Sequence, residues 1–245
     1  MITASIVLYN QNLEILKKAV DSYLSTPLKK KLYLIDNSSK NILEEYFLHK
    51  EIEYIFVGKN IGFGKAHNLV LDKIKSDFHL ILNPDVVFNS NVIPNLIYEL
   101  NNKNEVAFVT PKVVYPNNKI QYICRKHLTF TDLINRKLKI SKSSIYKNEY
   151  RSHDFNTAFY PEFIHGCFML FKTVEFKKLN GFDERYFLYA EDADICREIY
   201  KVNKKILFFP NEEIIHHHQK GSAKSLKLFI YHLSSVIKYF LKWGF

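Results

Sequence analysis

The sequence predicts an α/β fold built on a parallel sheet, and two observations carry that reading. In the first 100 residues, short apolar segments of strand character alternate with segments of helical spacing, the pattern of βαβ units. Three polar clusters, at Asn10, at residues 36–39 and at residues 83–85, each follow one of those apolar segments. Ligands bind beyond the carboxyl ends of the strands in such sheets, so the three clusters are expected to converge on one crevice.

Residues 2–9 read as the first strand, and residues 13–24 as a helix with Leu13, Leu16, Ala19, Val20 and Tyr23 on one stripe. A second buried strand at 32–35 ends in Asp36-Asn37-Ser38-Ser39, a cluster able to cap a following helix. Residues 53–57 are a third strand, 65–75 a helix and 78–82 a fourth strand. The stretch 125–151 is different: rich in Lys, Arg and Ser with weak periodicity, it reads as an exposed basic loop or a small helical insertion. Such a segment is either a solvated surface or a lid or acceptor-binding loop. Beyond it come an apolar strand over 163–171, a loop through Gly181, a helix from Glu191 and a strand at 206–209. Residues 222–243 return to helical spacing, with Leu226, Phe229, Ile230, Leu233, Ile237, Phe240 and Leu241 on one stripe and Lys224, Lys227, Lys238 and Lys242 mainly off it. That stripe packs on the core, docks on a membrane surface, or does both along one helix.

Composition narrows the function classes. A chain of 245 residues, 47% hydrophobic and 24% charged, is globular and holds one large domain or a domain with an appendage. Its 3 cysteines form no CxxC or zinc spacing, so neither a disulfide framework nor a structural zinc site is expected, and a reducing cytoplasmic setting is. The N-terminus lacks a basic n-region and reads as a strand rather than a signal peptide. No apolar run reaches the roughly 18 residues of a membrane span. The net charge of +10 suits nucleic acid, an anionic membrane surface or a phosphate-bearing ligand. Nucleic acid is disfavoured, because no basic recognition helix and no basic stripe interleaved with stacking aromatics is present.

Four constellations have chemical potential. Residues 58–68 form a loop bearing Gly62 and Gly64 that enters a helix, which taken alone reads first as a structural turn and otherwise as a place where backbone N–H groups favour an anion; the Walker and dinucleotide spacings are absent. Asn83-Pro84-Asp85 places a carboxylate on a stiffened turn after a buried strand, suited to a hard divalent cation or to a simple turn cap. Glu191-Asp192-Ala193-Asp194 opens a helix, where three acids complement the helix dipole or supply a base whose proton affinity is raised by crowding. His216-His217-His218, if extended, turns His216 and His218 to one face, able to hold a metal or phosphate.

Taken in order, these residues resemble the family 2 glycosyltransferases of GT-A fold, in particular their bacterial rhamnosyltransferase-like branch. Residues 5–10 are similar to the family's opening strand and residues 36–39 to its nucleoside-contacting turn. Asn60-Ile61-Gly62-Phe63-Gly64 with Asn68 resembles its N-x-GFG motif, and Asn83-Pro84-Asp85 stands where the family has a D-x-D. Residues 182–187 with Glu191, Asp192, Asp194 and Arg197 resemble its acceptor-side block, and residues 215–218 with Ser222 its late histidine motif.

The resemblance implies a mixed, mostly parallel sheet flanked by helices, with a catalytic domain over 1–221 and an amphipathic helix over 222–245. The first half, 1–100, would bind the nucleotide sugar; the second, 101–221, with the basic insertion 125–151, would bind the acceptor. The implied reaction is inverting transfer of a sugar, such as rhamnose, another deoxyhexose or a hexose, from a dTDP- or UDP-linked donor to a hydroxyl of a lipid-linked or lipopolysaccharide glycan. The alternatives are a UDP-hexose donor on the same fold and a catalytically silent sugar-nucleotide or glycan-binding module. Asp192 is the implied general base, with Glu191 and Asp194 orienting the acceptor or tuning it. Val7, Tyr9, Asn10, Asp36, Asn37, Asn60, Gly62, Phe63, Gly64, Asn68 and Asn83 are implied at the donor, and His165, Gly166 and Arg197 at the acceptor. Mg²⁺ or Mn²⁺ would be held by Asp85 with His216 or His218; because Asn83 replaces the motif's first carboxylate, Asp85 and the diphosphate must supply most of the charge compensation. The expected location is the cytoplasmic face of the inner membrane, with peripheral association through the basic segments.

Overall fold

The computed structural model describes residues 1–138, 140–217 and 226–244. Its first half follows the predicted alternation: β1 (Ile2–Leu8), α1 (Leu13–Leu24), β2 (Lys30–Asp36), β3 (Ile52–Phe56), α2 (Phe63–Asn68) and β4 (Phe78–Leu82). Next come β5 (Val86–Phe88), α3 (Val92–Asn101), β6 (Val106–Val114) and β7 (Cys124–Arg125), then α4 (Phe130–Leu138) and α5 (Lys142–Asn148) inside the basic stretch. The second half holds β8 (Phe163–Ile164), β9 (Phe168–Lys172), α6 (Thr173–Lys178), α7 (Glu191–Lys201), β10 (Lys205–His216) and α8 (Leu226–Trp243).

The main sheet has eight strands in the order β3-β2-β1-β4-β9-β6-β10-β5. β1 to β4 are parallel, β9 enters antiparallel between β4 and β6, and β5 pairs antiparallel with β10 at the edge. β6 and β10 are parallel to one another, so the sheet is mixed but mostly parallel. β7 and β8 form a separate two-stranded ribbon. Ile2, Ala4, Ile6 and Leu8 of β1 are wholly buried, as are Phe168 to Phe171 of β9, which is expected of strands covered on both faces.

The opposite face of β1 is polar yet equally buried. Thr3 Oγ1 lies 2.8 Å from His79 Nδ1, while Ser5 Oγ lies 3.0 Å from His79 Nε2 and 2.7 Å from His67 Nδ1. This chain of hydrogen bonds ties β1 to β4 and α2 and sets the register beneath the cleft.

Four departures from the sequence reading bear on the site. The helix expected over 65–75 stops at Asn68, whose side chain is drawn off to bridge the Phe182 backbone, and only a short 3₁₀ turn follows at Leu71–Lys73. The strand expected over 163–171 breaks at Gly166, where the chain turns to face α7. The strand at 206–209 continues to His216 through a register shift between Phe209 and Glu213, a bulge that accommodates Pro210. The cluster at 36–39 caps no helix: the next helical turn, Glu44–Phe47, starts without a side-chain cap.

The C-terminal helix also packs differently from its sequence stripe. Ser235, Val236, Tyr239 and Phe240 are its buried residues, whereas Leu226, Ile230, Leu233, Ile237 and Leu241 are exposed. Among the described residues no helix is long and apolar enough to cross a membrane.

Candidate active site

The carboxyl ends of β1 and β4 open on a cleft of about 760 Å³, lined by Val7, Asn83, Asp85, His216, Gly166 and Asp192 among others. A neighbouring compartment of about 410 Å³ is lined by Tyr9, Asn37, Asn60, Gly62, Phe187 and, from α8, Tyr231. Val7, Gln11, Phe63 and Leu188 belong to both walls, so the two form one continuous crevice.

Behind the smaller compartment, β2 ends in the carboxylate of Asp36, which is wholly buried and lines neither compartment. It accepts the Ser38 backbone N–H at 2.9 Å and the Tyr54 hydroxyl at 2.6 Å, and burial with this contact raises the Tyr54 pKa. The Asn37 side chain donates to the Gly62 carbonyl at 3.0 Å, leaving its buried Oδ1 with no hydrogen-bond partner among the described residues. A buried acceptor with one capacity unused, on the wall of a cavity, is suited to a ligand N–H. Gly62 sits at φ +96°, where a Cβ would collide with the Phe187 carbonyl, and Phe63 N–H donates to that same carbonyl at 2.9 Å.

Three further residues implied at the donor, like Asp36, brace the site instead of lining it. Gly64 is packed against Phe182; Asn68 accepts the Phe182 N–H at 2.9 Å and donates to the Phe182 carbonyl at 2.7 Å; the Asn10 N–H is tied to Ser38 Oγ at 2.8 Å. Their side chains or backbone are occupied in clamping the loop around Phe182 and the β1–α1 turn.

On the opposite wall, β10 and β5 pair so that His216 is level with Val86, and the His217 N–H donates to the Asp85 carbonyl at 3.0 Å. This brings His216 Nε2 to 3.3 Å from Asp85 Oδ1. Gln121, which the sequence reading missed, holds the ring from behind: its Oε1 lies 3.0 Å from His216 Nδ1, and its amide donates to the His216 carbonyl at 2.7 Å. Burial lowers the His216 pKa, but Cys167 and Asp85 together outweigh it and push it up to about 10. Asn83 also lines the cleft, with its N–H on the Cys167 carbonyl at 2.9 Å. His218 lies outside the described residues.

Among the described residues no group of three or more His, Cys, Asp or Glu forms a closed metal cage. The Asp85–His216 pair nevertheless fits Mg²⁺ or Mn²⁺, because such ions use one or two protein ligands and take the rest from phosphate and water.

The third wall is the start of α7. Tyr189 and Ala190 both adopt positive φ, 70° and 67°, a conformation costing about 1–3 kcal/mol per non-glycine residue. The strained corner presents Asp192 to the cleft, where its Oδ2 accepts the Gly166 N–H at 3.1 Å and lies 3.6 Å from His165 Nδ1. Glu191 is buried beside it with Oε2 unpartnered among the described residues; burial and then the charge of Asp192 hold its carboxyl well above the usual range. A buried acid of raised proton affinity thus lies next to another that faces the cavity.

Asp194 and Arg197, expected at the catalytic and acceptor sides, turn the other way. Asp194 accepts from Tyr186 at 3.0 Å, Lys242 at 2.8 Å and Trp243 Nε1 at 2.7 Å, while the Arg197 guanidinium stacks 4.8 Å from the Trp243 ring. Helical spacing explains it: residues two and five positions beyond Asp192 lie on other faces of α7, and those faces receive α8.

A mostly parallel sheet with a crevice at its strand ends, a carboxylate–histidine pair on one wall and a cavity-facing carboxylate on another, is the architecture of a nucleotide-sugar transferase. The chain belongs to Glycosyl transferase family 2, whose profile matches residues 3–176, and it is a glycosyltransferase of GT-A fold. It is 28% identical over 242 residues to "Rhamnosyltransferase WbbL" of Escherichia coli K12, covering 91% of this chain and 87% of that protein. It is 22% identical over 235 residues to the "N-acetylglucosaminyl-diphospho-decaprenol L-rhamnosyltransferase" of Mycobacterium tuberculosis, covering 87% of this chain and 76% of that one. Among solved structures, GalNAc-T7 with UDP, GalNAc and Mn²⁺ superimposes with a TM-score of 0.71 at 15% identity, over 98% of this chain; the chain spans 47% of that protein.

Proposed function

We propose that the protein is an inverting transferase that moves a sugar, rhamnose or a related deoxyhexose or hexose, from a dTDP- or UDP-linked donor to a hydroxyl of a lipid-linked surface glycan. The observation that carries this reading is the placing of Asp192 and the Asp85–His216 pair on two walls of one cleft. The Asn37 side reads as the nucleoside compartment.

Asp85 and His216 would hold Mg²⁺ or Mn²⁺, which when bound neutralises charge on the departing diphosphate. Asp192 accepts the proton of the acceptor hydroxyl as its oxygen bonds to the anomeric carbon; the bond from that carbon to the donor's phosphate oxygen breaks, and the nucleoside diphosphate leaves with its electron pair. Gly166 N–H holds the Asp192 carboxylate in place, and burial and the charge of Asp192 disfavour a second negative charge on Glu191 beside it. His165 flanks the base and Gly166 floors it, both on the acceptor side.

Both named relatives are rhamnosyltransferases, and the name of the mycobacterial one specifies a diphospho-lipid acceptor. Membrane association is supported by the exposed Leu226, Ile230, Leu233, Ile237 and Leu241 on α8, with Lys227 on the same helix and a chain charge of +10. The cytoplasmic leaflet, anionic and adjacent to nucleotide sugars, matches that combination.

The experiment is donor hydrolysis by the purified chain with Mn²⁺ or Mg²⁺ and a panel of dTDP-, UDP- and GDP-sugars. Release of nucleoside diphosphate from one donor, abolished by Asp85→Ala, is expected. Neither turnover nor nucleotide binding across the panel would overturn the proposal.

A further inference from the structure

The basic stretch after β7 folds into a cationic wall of the same cleft. Glu149, buried, collects three guanidiniums: Arg125 at 3.1 Å, Arg136 at 3.2 Å and Arg151 at 2.5 Å. One carboxylate offsets one of three charges, and among the described residues no other carboxylate lies within ion-pair distance of these arginines. The neighbouring acids Asp132 and Glu162 accept from neutral donors, Thr129 and Asn148 on the first and the His127 N–H on the second, and ion-pair with none of the three arginines. The arginine cluster therefore carries two more positive charges than its one ion-pair partner offsets.

The guanidiniums are also held in fixed positions. Arg151 is stacked at 4.3 Å on Tyr122 and 4.4 Å on Tyr146, and Arg136 donates to Asn148 at 2.7 Å. Arg125 Nε is buried with no partner among the described residues, and burial, followed by the charge of Arg136, brings the Arg125 pKa down to about 10. Arg125 and Arg151 line the cleft together with Lys119. Their distance along the fold from the base is short: Arg125 pairs with Phe163 across the β7–β8 ribbon, and β8 runs directly into His165 and Gly166, which contact Asp192.

We propose that Arg125 and Arg151, backed by Arg136, bind a phosphate or diphosphate carried by the acceptor, fixing its anionic end while its hydroxyl reaches Asp192. Arg151, stacked on Tyr122 and Tyr146 with its Nε and one terminal nitrogen on Glu149, and Arg125, with its Nε unpartnered among the described residues, keep N–H donors for phosphate oxygens, and an anion of charge about −2 would neutralise the surplus. The donor's diphosphate would be met by the cation that Asp85 and His216 would hold, so the arginines serve a second anion. This assignment rests on the glycosyl-transfer reading and adds to it the residues that hold the acceptor's anionic end.

The test measures binding of farnesyl diphosphate, inorganic diphosphate and farnesol to the full chain by calorimetry, with chelator present so that the cation pair is silent. Farnesyl diphosphate is expected to bind, more tightly than inorganic diphosphate, and farnesol not to. Loss of one charge-assisted contact weakens binding by roughly ten- to a hundredfold, so Arg151→Gln should do so and Arg151→Lys should recover part of it. Arg151 is the more exposed of the pair, and the melting temperature of each variant checks its fold. No binding by the native chain, equal affinity for inorganic diphosphate, competition by UDP, or indifference to Arg151→Gln would each overturn the assignment. Because no donor enters the experiment, failure of the glycosyl-transfer reading registers separately, in the hydrolysis panel.

Discussion

Gly166 donates its backbone N–H to Asp192 Oδ2 at 3.1 Å, and a methyl group on Gly166 would come to 3.2 Å from Asp192 Cβ. The break between β8 and β9 exists at the point where this approach is needed. A general base contributes about 10²–10⁴ to a rate, so Asp192→Asn is expected to lower kcat by that factor with little change in nucleotide affinity. Gly166→Ala, which crowds the carboxylate without removing it, should give a smaller loss. Steady-state kinetics with calorimetry on the same samples separates the two; an Asp192→Asn enzyme with native kcat would remove Asp192 from the mechanism.

Gln121 fixes the far side of the His216 ring, as partners of metal-binding histidines commonly do. Gln121→Ala is expected to weaken Mn²⁺ affinity about 10–100-fold while leaving the fold intact, and chelation should abolish donor turnover in the native enzyme. With its pKa pushed up to about 10, His216 carries a proton that a cation must displace. Mn²⁺ affinity should therefore rise as pH is raised from about 6 to about 8, which titration at several pH values would read.

The alternation of strands and helices in the first half was legible because each segment carries its own period, and the convergence of the three polar clusters followed from strand direction alone. What was not legible is non-local. The stretch 86–124, which supplies β6 and Gln121, has no distinctive motif, and the Pro210 bulge hides the continuity of β10 that carries His216 to Asp85. Asp194 and Arg197 belong to the same motif as Asp192, yet only the docking of α8 shows that they serve packing. The apolar stripe of α8 was visible as a pattern; that most of it faces outward depends on where Tyr239, Phe240 and Trp243 find their contacts.

Lys242 is enclosed by Asp194 at 2.8 Å, Glu198 at 2.9 Å and Asp183 at 3.1 Å. Removing one partner of a buried ion pair strands the others, at a cost of about 3–5 kcal/mol for full burial. Lys242→Met should therefore destabilise the protein towards the low end of that range, because Asp194 is buried while Asp183 and Glu198 keep some solvent. Denaturant unfolding measures it, and Leu233→Asp on the exposed face of α8 is the contrast: no loss of stability, but loss of partitioning onto anionic vesicles.

His67 and His79 are buried without a counter-charge, and burial lowers both pKa values, that of His79 to about 3. In the unfolded chain each titrates near its ordinary value of about 6.5. Below that pH the unfolded state binds protons that the folded state refuses, so stability is full above about 6.5 and is lost as pH falls towards 3. The slope approaches about 1.4 kcal/mol per pH unit for each histidine. His79→Gln, which can still bond Thr3 or Ser5, should remove one histidine's share of that slope while lowering stability at neutral pH through the imperfect replacement of two hydrogen bonds. Urea midpoints of native and variant chains between about pH 4 and pH 7 test this; parallel pH profiles would mean that His79 takes its proton in the folded state and that the buried chain of hydrogen bonds rearranges to admit it.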